Sequence, residues 1–118
     1  MAIDESTVLQ QAAEFLEAGD GAMDALRMHE FEMDGDEHDD DAVDLLHQDF
    51  RKDFDAATRV LTAEYGDPSH SGTDDDESIP LTGIEVFNIW NTGNQGLFLA
   101  ISHEDRGAPI LLMLGCTE

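Results

Sequence analysis

Cationic side chains are what this chain most lacks. It holds five Lys and Arg against 28 Asp and Glu, a formal net charge of −23. Without a cationic patch there are no counterions to release from a phosphate backbone, which excludes direct nucleic-acid binding and docking on anionic membrane surfaces. No apolar run approaches the roughly 20 residues needed to span a bilayer. The opening MAIDESTVLQ is acidic and does not read as a signal or transit peptide. A single cysteine, Cys116, allows no internal disulfide, which fits a reducing cytoplasm and makes cytoplasmic localisation the expectation. No glycine-rich loop that could cradle a phosphate is present, and nothing around Cys116 marks a nucleophile elbow. The one accessible nucleophile–base–orienter trio is Cys116, His103 and Asp105, so enzyme activity is not expected and no cofactor is implied.

What the chain does have is a lopsided charge. Residues 1–77 carry 24 acids and four bases (Arg27, Arg51, Lys52, Arg59), while residues 78–118 carry four acids and Arg106. At 118 residues and 41% apolar content the chain has enough for one core and too little for two. A single domain over 1–118 is expected, with a helical acidic part (1–65), an acidic linker (66–80) and a β-rich part (81–118).

Leu9, Ala12, Ala13 and Leu16 draw a stripe that predicts a first helix, capped by Asp4 or Ser6 and stopped by Gly19. In 22–33, Met23, Leu26 and Glu30 predict a short helix; the alternative is an extended segment flanked by Met28, Phe31 and Met33. From about Asp41 to Tyr65, Val43, Leu46, Phe50, Phe54, Ala57, Leu61 and Tyr65 form a continuous apolar stripe, ended by Gly66 and Pro68. The bases on that segment stand three or four residues from acids, Arg51 and Arg59 from Asp55 and Lys52 from Asp49, a spacing worth tenths of a kcal/mol per pair. After the linker the period changes. GIEVFNIWN (83–91) and GLFLAISH (96–103) read as strands joined by a TGNQ turn, and EDRGA leads to PILLMLG (109–115), apolar enough to be buried on both faces. The expected fold is α+β: two or three N-terminal helices packed on a C-terminal three-stranded antiparallel β-meander.

Seven acids, Asp34, Asp36, Glu37, Asp39, Asp40, Asp41 and Asp44, crowd one loop and the helix start that follows it. Counted as a calcium loop from Asp34, the sixth residue is Asp39 and the twelfth Leu45, so the pattern fails. Asp39 to Asp41 suit the positive end of the long helix. Counted from Asp67, oxygens fall at Asp67, Ser69 and Ser71 with Gly72 sixth, but the twelfth residue is Ser78 and SIPLTG cannot form an exiting helix. The histidines at 29, 38, 47, 70 and 103 show no zinc spacing, so no metal site is assigned. Trp90 reads either as a core aromatic closing the hairpin or as an exposed anchor for a partner.

The composition therefore points to a non-enzymatic acidic binding protein that inhibits or neutralises a protein with a basic surface, a toxin or a nucleic-acid-processing enzyme. Complementary charge speeds encounter and suppresses wrong partners. The layout of helices, acidic linker, Trp-bearing hairpin and apolar last strand resembles small bacterial immunity proteins in style, though in no motif, and no residue role follows from it. Two alternatives stand beside this reading. One is a DNA mimic of the anti-restriction or anti-CRISPR type, which needs carboxylates arrayed at the roughly 1.7 Å per charge of duplex DNA. The other is an acidic protein of a salt-adapted organism, whose charge keeps it soluble and has no partner. The expected contact residues are Asp34, Asp36, Glu37, Asp39, Asp40, Asp41, Asp44, Asp74, Asp75, Asp76, Glu77 and Trp90. Whether the apolar last strand supports a homodimer is left open by the sequence.

Overall fold

The computed structural model describes residues 5–18, 22–29, 40–75, 79, 81, 83–92, 96–103 and 109–116, with backbone alone at 5 and 40–43. The order of elements is α1 (Glu5–Ala18), β1 (Met23–His29), α2 (Asp40–Tyr65), β2 (His70–Gly72), β3 (Ile84–Asn91), β4 (Gly96–Ser102) and β5 (Ile110–Cys116). The five strands make one antiparallel sheet in the order β1-β5-β4-β3-β2. Among the described residues no helix is long and apolar enough to cross a membrane.

This corrects the expected fold class in two places: the sheet has five strands rather than three, and one of them, β1, lies between the two helices described. The segment read as a helix over 22–33 contains β1. Its apolar residues suit either period, and pairing along the whole of β5 settles the matter by filling backbone hydrogen bonds that would otherwise be left at an apolar edge. The segment read as a linker over 66–80 contains β2, which pairs with β3, and Ile79 is 3% exposed. Polar composition concealed both features, because a three-residue strand and one apolar anchor leave no periodicity to detect.

Alternation along the strands builds two cores. Val86, Trp90, Leu97, Leu99, Ile101, Ile110, Leu112 and Leu114 face the helices and meet Val8, Ala12, Phe50, Phe54, Ala57 and Leu61. The helical stripe of α1 is rotated from the expected one, since Val8 is fully buried and Ala13 is exposed. On the opposite face Ile84, Phe87, Ile89, Phe98, Ala100 and Met113 pack with Ile79 and Leu81. β5 is thus buried on both faces, which is why its sequence has no polar phase.

Geometry calls for glycine at positions 66 and 115, among others in the described residues. Gly66 ends α2 with φ +91° and donates its N–H to Thr62 O at 2.9 Å, a left-handed cap that other residues adopt at a cost. Gly115 lies so close to β1 that a Cβ would stand 2.3 Å from Met23 Cβ and 2.6 Å from Ala22 O.

Candidate functional site

The register of the sheet breaks twice, and each break aims a charged side chain at α2. Between Ala25 and Arg27 the β1–β5 pairing skips a residue. Ala25 packs in the outer core and Leu26 in the helix-side core, and Arg27 also reaches the helix. Between Ile84 and Val86 the β3–β4 pairing skips likewise, so Glu85 joins Val86 on the helix side. An extra residue in one strand suspends the two-residue alternation, and bulges re-aim side chains in this way.

At the first bulge Arg27 bridges two carboxylates one helical turn apart. Nη1 donates to Asp53 Oδ2 at 2.7 Å and Nη2 to Asp49 Oδ2 at 2.8 Å, while Cζ lies 4.3 Å from the centre of the Phe50 ring. Burial disfavours the charged guanidinium, but hydrogen bonds and charge from Asp49 and Asp53 outweigh it, so its pKa is raised. The hydrogen bond and positive charge of Arg27 hold Asp49 below the ordinary carboxylate value. This is a clamp between β1 and α2 that fixes the helix on the sheet.

At the second bulge three ionisable side chains meet. His47 Nδ1 lies 2.7 Å from Glu85 Oε2, and His47 Nε2 lies 3.0 Å from His103 Nδ1. The imidazole centroids are 5.0 Å apart and tilted by 58°. The backbone N–H of His103 donates to Gly83 O at 2.9 Å, which holds the residue beside the start of β3. One potential donor atom from each of His47, Glu85 and His103 lies within 4.8 Å of the others, and all three residues are half-buried. Two imidazoles and a carboxylate can share protons along a chain or converge on a metal ion.

The anticipated contact residues are dispersed. Asp34, Asp36, Glu37, Asp39, Asp76 and Glu77 lie outside the described residues, and Asp40 and Asp41 are described only as the first backbone positions of α2. Asp44, Asp74 and Asp75 are exposed. Asp75 also has a local structural task, since its Oδ1 accepts the Ile84 N–H at 2.8 Å at the start of β3. Trp90 is 1% exposed and belongs to the helix-side core. The serines of the calcium-like count are turned to the sheet: Ser69 Oγ donates to Ile89 O, and Ser71 Oγ bonds Asn88 Oδ1.

The trio of Cys116, His103 and Asp105 does not assemble. Cys116 is fully buried and pairs with Leu97 at one end of β4, whereas His103 follows Ser102 at the other. At about 3.3 Å per residue those ends are roughly 20 Å apart; Asp105 lies outside the described residues.

Arg27 and Glu85 are not among the residues the sequence singles out as site members, and His47 enters there only with the other histidines, which show no zinc spacing. The histidines of the cluster are 56 positions apart, so no local spacing could reveal it. One signal existed: Glu85 is a lone carboxylate inside the otherwise apolar start of GIEVFNIW.

No family model, curated protein or solved structure matches the chain.

Proposed function

We propose that the chain is a non-enzymatic acidic binding protein that engages the basic surface of a protein partner, as an inhibitor or immunity protein does. The observation that carries this reading is a charge excess on the described surface. Glu14, Glu17, Asp24, Asp44, Asp55, Glu64, Asp67, Asp74 and Asp75 are exposed, against the exposed cations Arg51, Lys52 and Arg59. Arg27, which could have offset them, is committed to Asp49 and Asp53. Like charges held this densely destabilise the compact state, and a cationic partner relieves that repulsion while being steered in. The acidic segments Asp34–Asp44 and Asp74–Glu77 are the proposed contact surface.

The mimicry of duplex DNA draws less support. Arg51, Lys52 and Arg59 all lie exposed on α2, the longest element, and interrupt its carboxylates. A phosphate mimic needs an unbroken row.

The test begins with affinity capture from the source cells at low salt, followed by association kinetics with the captured partner across a NaCl series. The expected on-rate falls steeply with salt, and Asp44→Lys with Asp74→Lys lowers it about tenfold or more. An unchanged on-rate in that variant refutes the proposed surface. A chain that captures no basic protein, and whose fold requires molar NaCl, is explained by salt adaptation instead.

A further inference from the structure

We propose that His47, Glu85 and His103 form a binding site for one divalent transition cation of the zinc class. Four observations converge on it. The donor set is two imidazole nitrogens and one carboxylate oxygen, which suits borderline ions such as Zn2+ and not the all-oxygen preference of Mg2+ or Ca2+. Donor atoms of the three residues lie within 4.8 Å of one another. A tetrahedral ion with Zn–N of about 2.0–2.1 Å spaces its ligands roughly 3.4 Å apart, so closure takes side-chain rotations of about 1 Å rather than refolding. The residues come from α2, from the bulge of β3 and from the residue after β4, so the backbone already holds three independent elements at one point. Finally, the side chains of His47 and Glu85 are 25% and 37% exposed, which gives an ion a path from solvent and leaves room for water as a further ligand.

Without an ion, His47 bridges its two neighbours by hydrogen bonds. With one, a ring nitrogen of His47 gives up its hydrogen bond to coordinate, and its other nitrogen remains available to hydrogen-bond a neighbour, the usual arrangement around a metal-bound imidazole. The ion then ties α2 to β3 and to the end of β4, as the Arg27 clamp ties α2 to β1. A net charge of −23 raises the local concentration of any cation, but it does not discriminate among them. Selectivity for a transition ion comes from the imidazoles. The site holds its ion whether or not the chain has a macromolecular partner.

The experiment uses the full chain without an affinity tag. Zn2+ binding is measured by competition with a chromophoric chelator at near-neutral pH, in excess Mg2+ and Ca2+, and Co2+ is added separately to read ligand geometry from its visible bands. One tight Zn2+ per chain and Co2+ bands of low-coordinate type are expected. At a hundredfold excess of Zn2+ over its Kd, Tm should rise by roughly 10 °C. His47→Ala, His103→Ala and Glu85→Gln should each weaken binding by more than the roughly 10- to 100-fold that loss of an outer-shell partner costs, while His70→Ala leaves it unchanged. Equal binding by wild type and the His47→Ala/His103→Ala variant would mean adventitious uptake by surface acids and overturns the site, as does failure of the wild type to retain Zn2+. Should the alanine variants not fold, imidazole NMR signals of the wild-type chain decide. Shifts at His47 and His103 on adding Zn2+ support the site, and shifts confined to His29, His38 or His70 refute it.

Discussion

Replacing Arg27 with Met removes the cation between Asp49 and Asp53 while keeping most of the aliphatic stem, so the loss measured is that of charge and hydrogen bonds rather than packing. The two carboxylates differ in consequence. Asp49 is 46% exposed and can be rehydrated, but the Asp53 side chain is only 9% exposed and would be left as an uncompensated buried charge. Breaking a buried pair from one side costs about 3–5 kcal/mol. The guanidinium also stacks 4.3 Å from the Phe50 ring, a contact worth about 0.5–2 kcal/mol. Arg27 is itself 21% exposed, so the lower part of these ranges applies, and a loss of about 3 kcal/mol is expected. That is a large share of the 5–15 kcal/mol typical of a domain. The assay is urea unfolding at pH 7 and fixed ionic strength. Adding Asp53→Asn to Arg27→Met should restore about 1–2 kcal/mol, because it removes the stranded charge, and the double-mutant cycle reports the coupling. Arg59→Ala, which removes an Nε contact to the Asp55 backbone oxygen at 3.5 Å on an exposed face, should cost under about 0.5 kcal/mol. An Arg27→Met loss below about 1 kcal/mol, or one equal to that of Arg59→Ala, refutes the clamp.

Gly115→Ala should cost about 1–3 kcal/mol, since the new methyl group meets β1 backbone that cannot rotate away; amide exchange should show β1 opening first, and a neutral substitution would contradict the close approach. Trp90, the chain's one tryptophan and 1% exposed, should emit in the blue and resist iodide quenching until global unfolding; red-shifted, quenchable emission from the native chain would place it at the surface. The depressed pKa of Asp49 means that its contribution is present above its ordinary value of 3.8 and is lost as pH falls through the lower folded value. The stability advantage of wild type over Asp49→Asn should therefore be full at neutral pH and shrink to nothing in strong acid, and an advantage that grows on acidification would reverse the sign of the argument.

How much of the protein could be read from its sequence depended on whether the pattern was local. The stripe from Leu46 to Tyr65 defines α2 and its buried face, because a 3.6-residue period sustained along most of this 26-residue helix admits no other element. The apolar runs around Trp90, Phe98 and Leu112 announce strands, and the five bases among 28 acids announce the charge of the surface. β1 is ambiguous in the sequence for the converse reason. Seven residues with Met23, Leu26 and Met28 fit a helix as well as a strand, and Ala25, Leu26 and Arg27 break alternation where the bulge falls.

Composition and short-range periodicity by themselves determined a single acidic α+β chain with a long amphipathic helix and an apolar final strand. The strand order, the edge position of β1 and the meeting of His47 with Glu85 and His103 were decided only in three dimensions. Backbone pairing at the free edge of β5 selects β1 from an ambiguous segment, and a one-residue slip in register turns Glu85 from one face of the sheet to the other. The partner strand is not encoded within a few residues of the side chains it places, so tertiary contacts create the clamp and the His–Glu–His cluster.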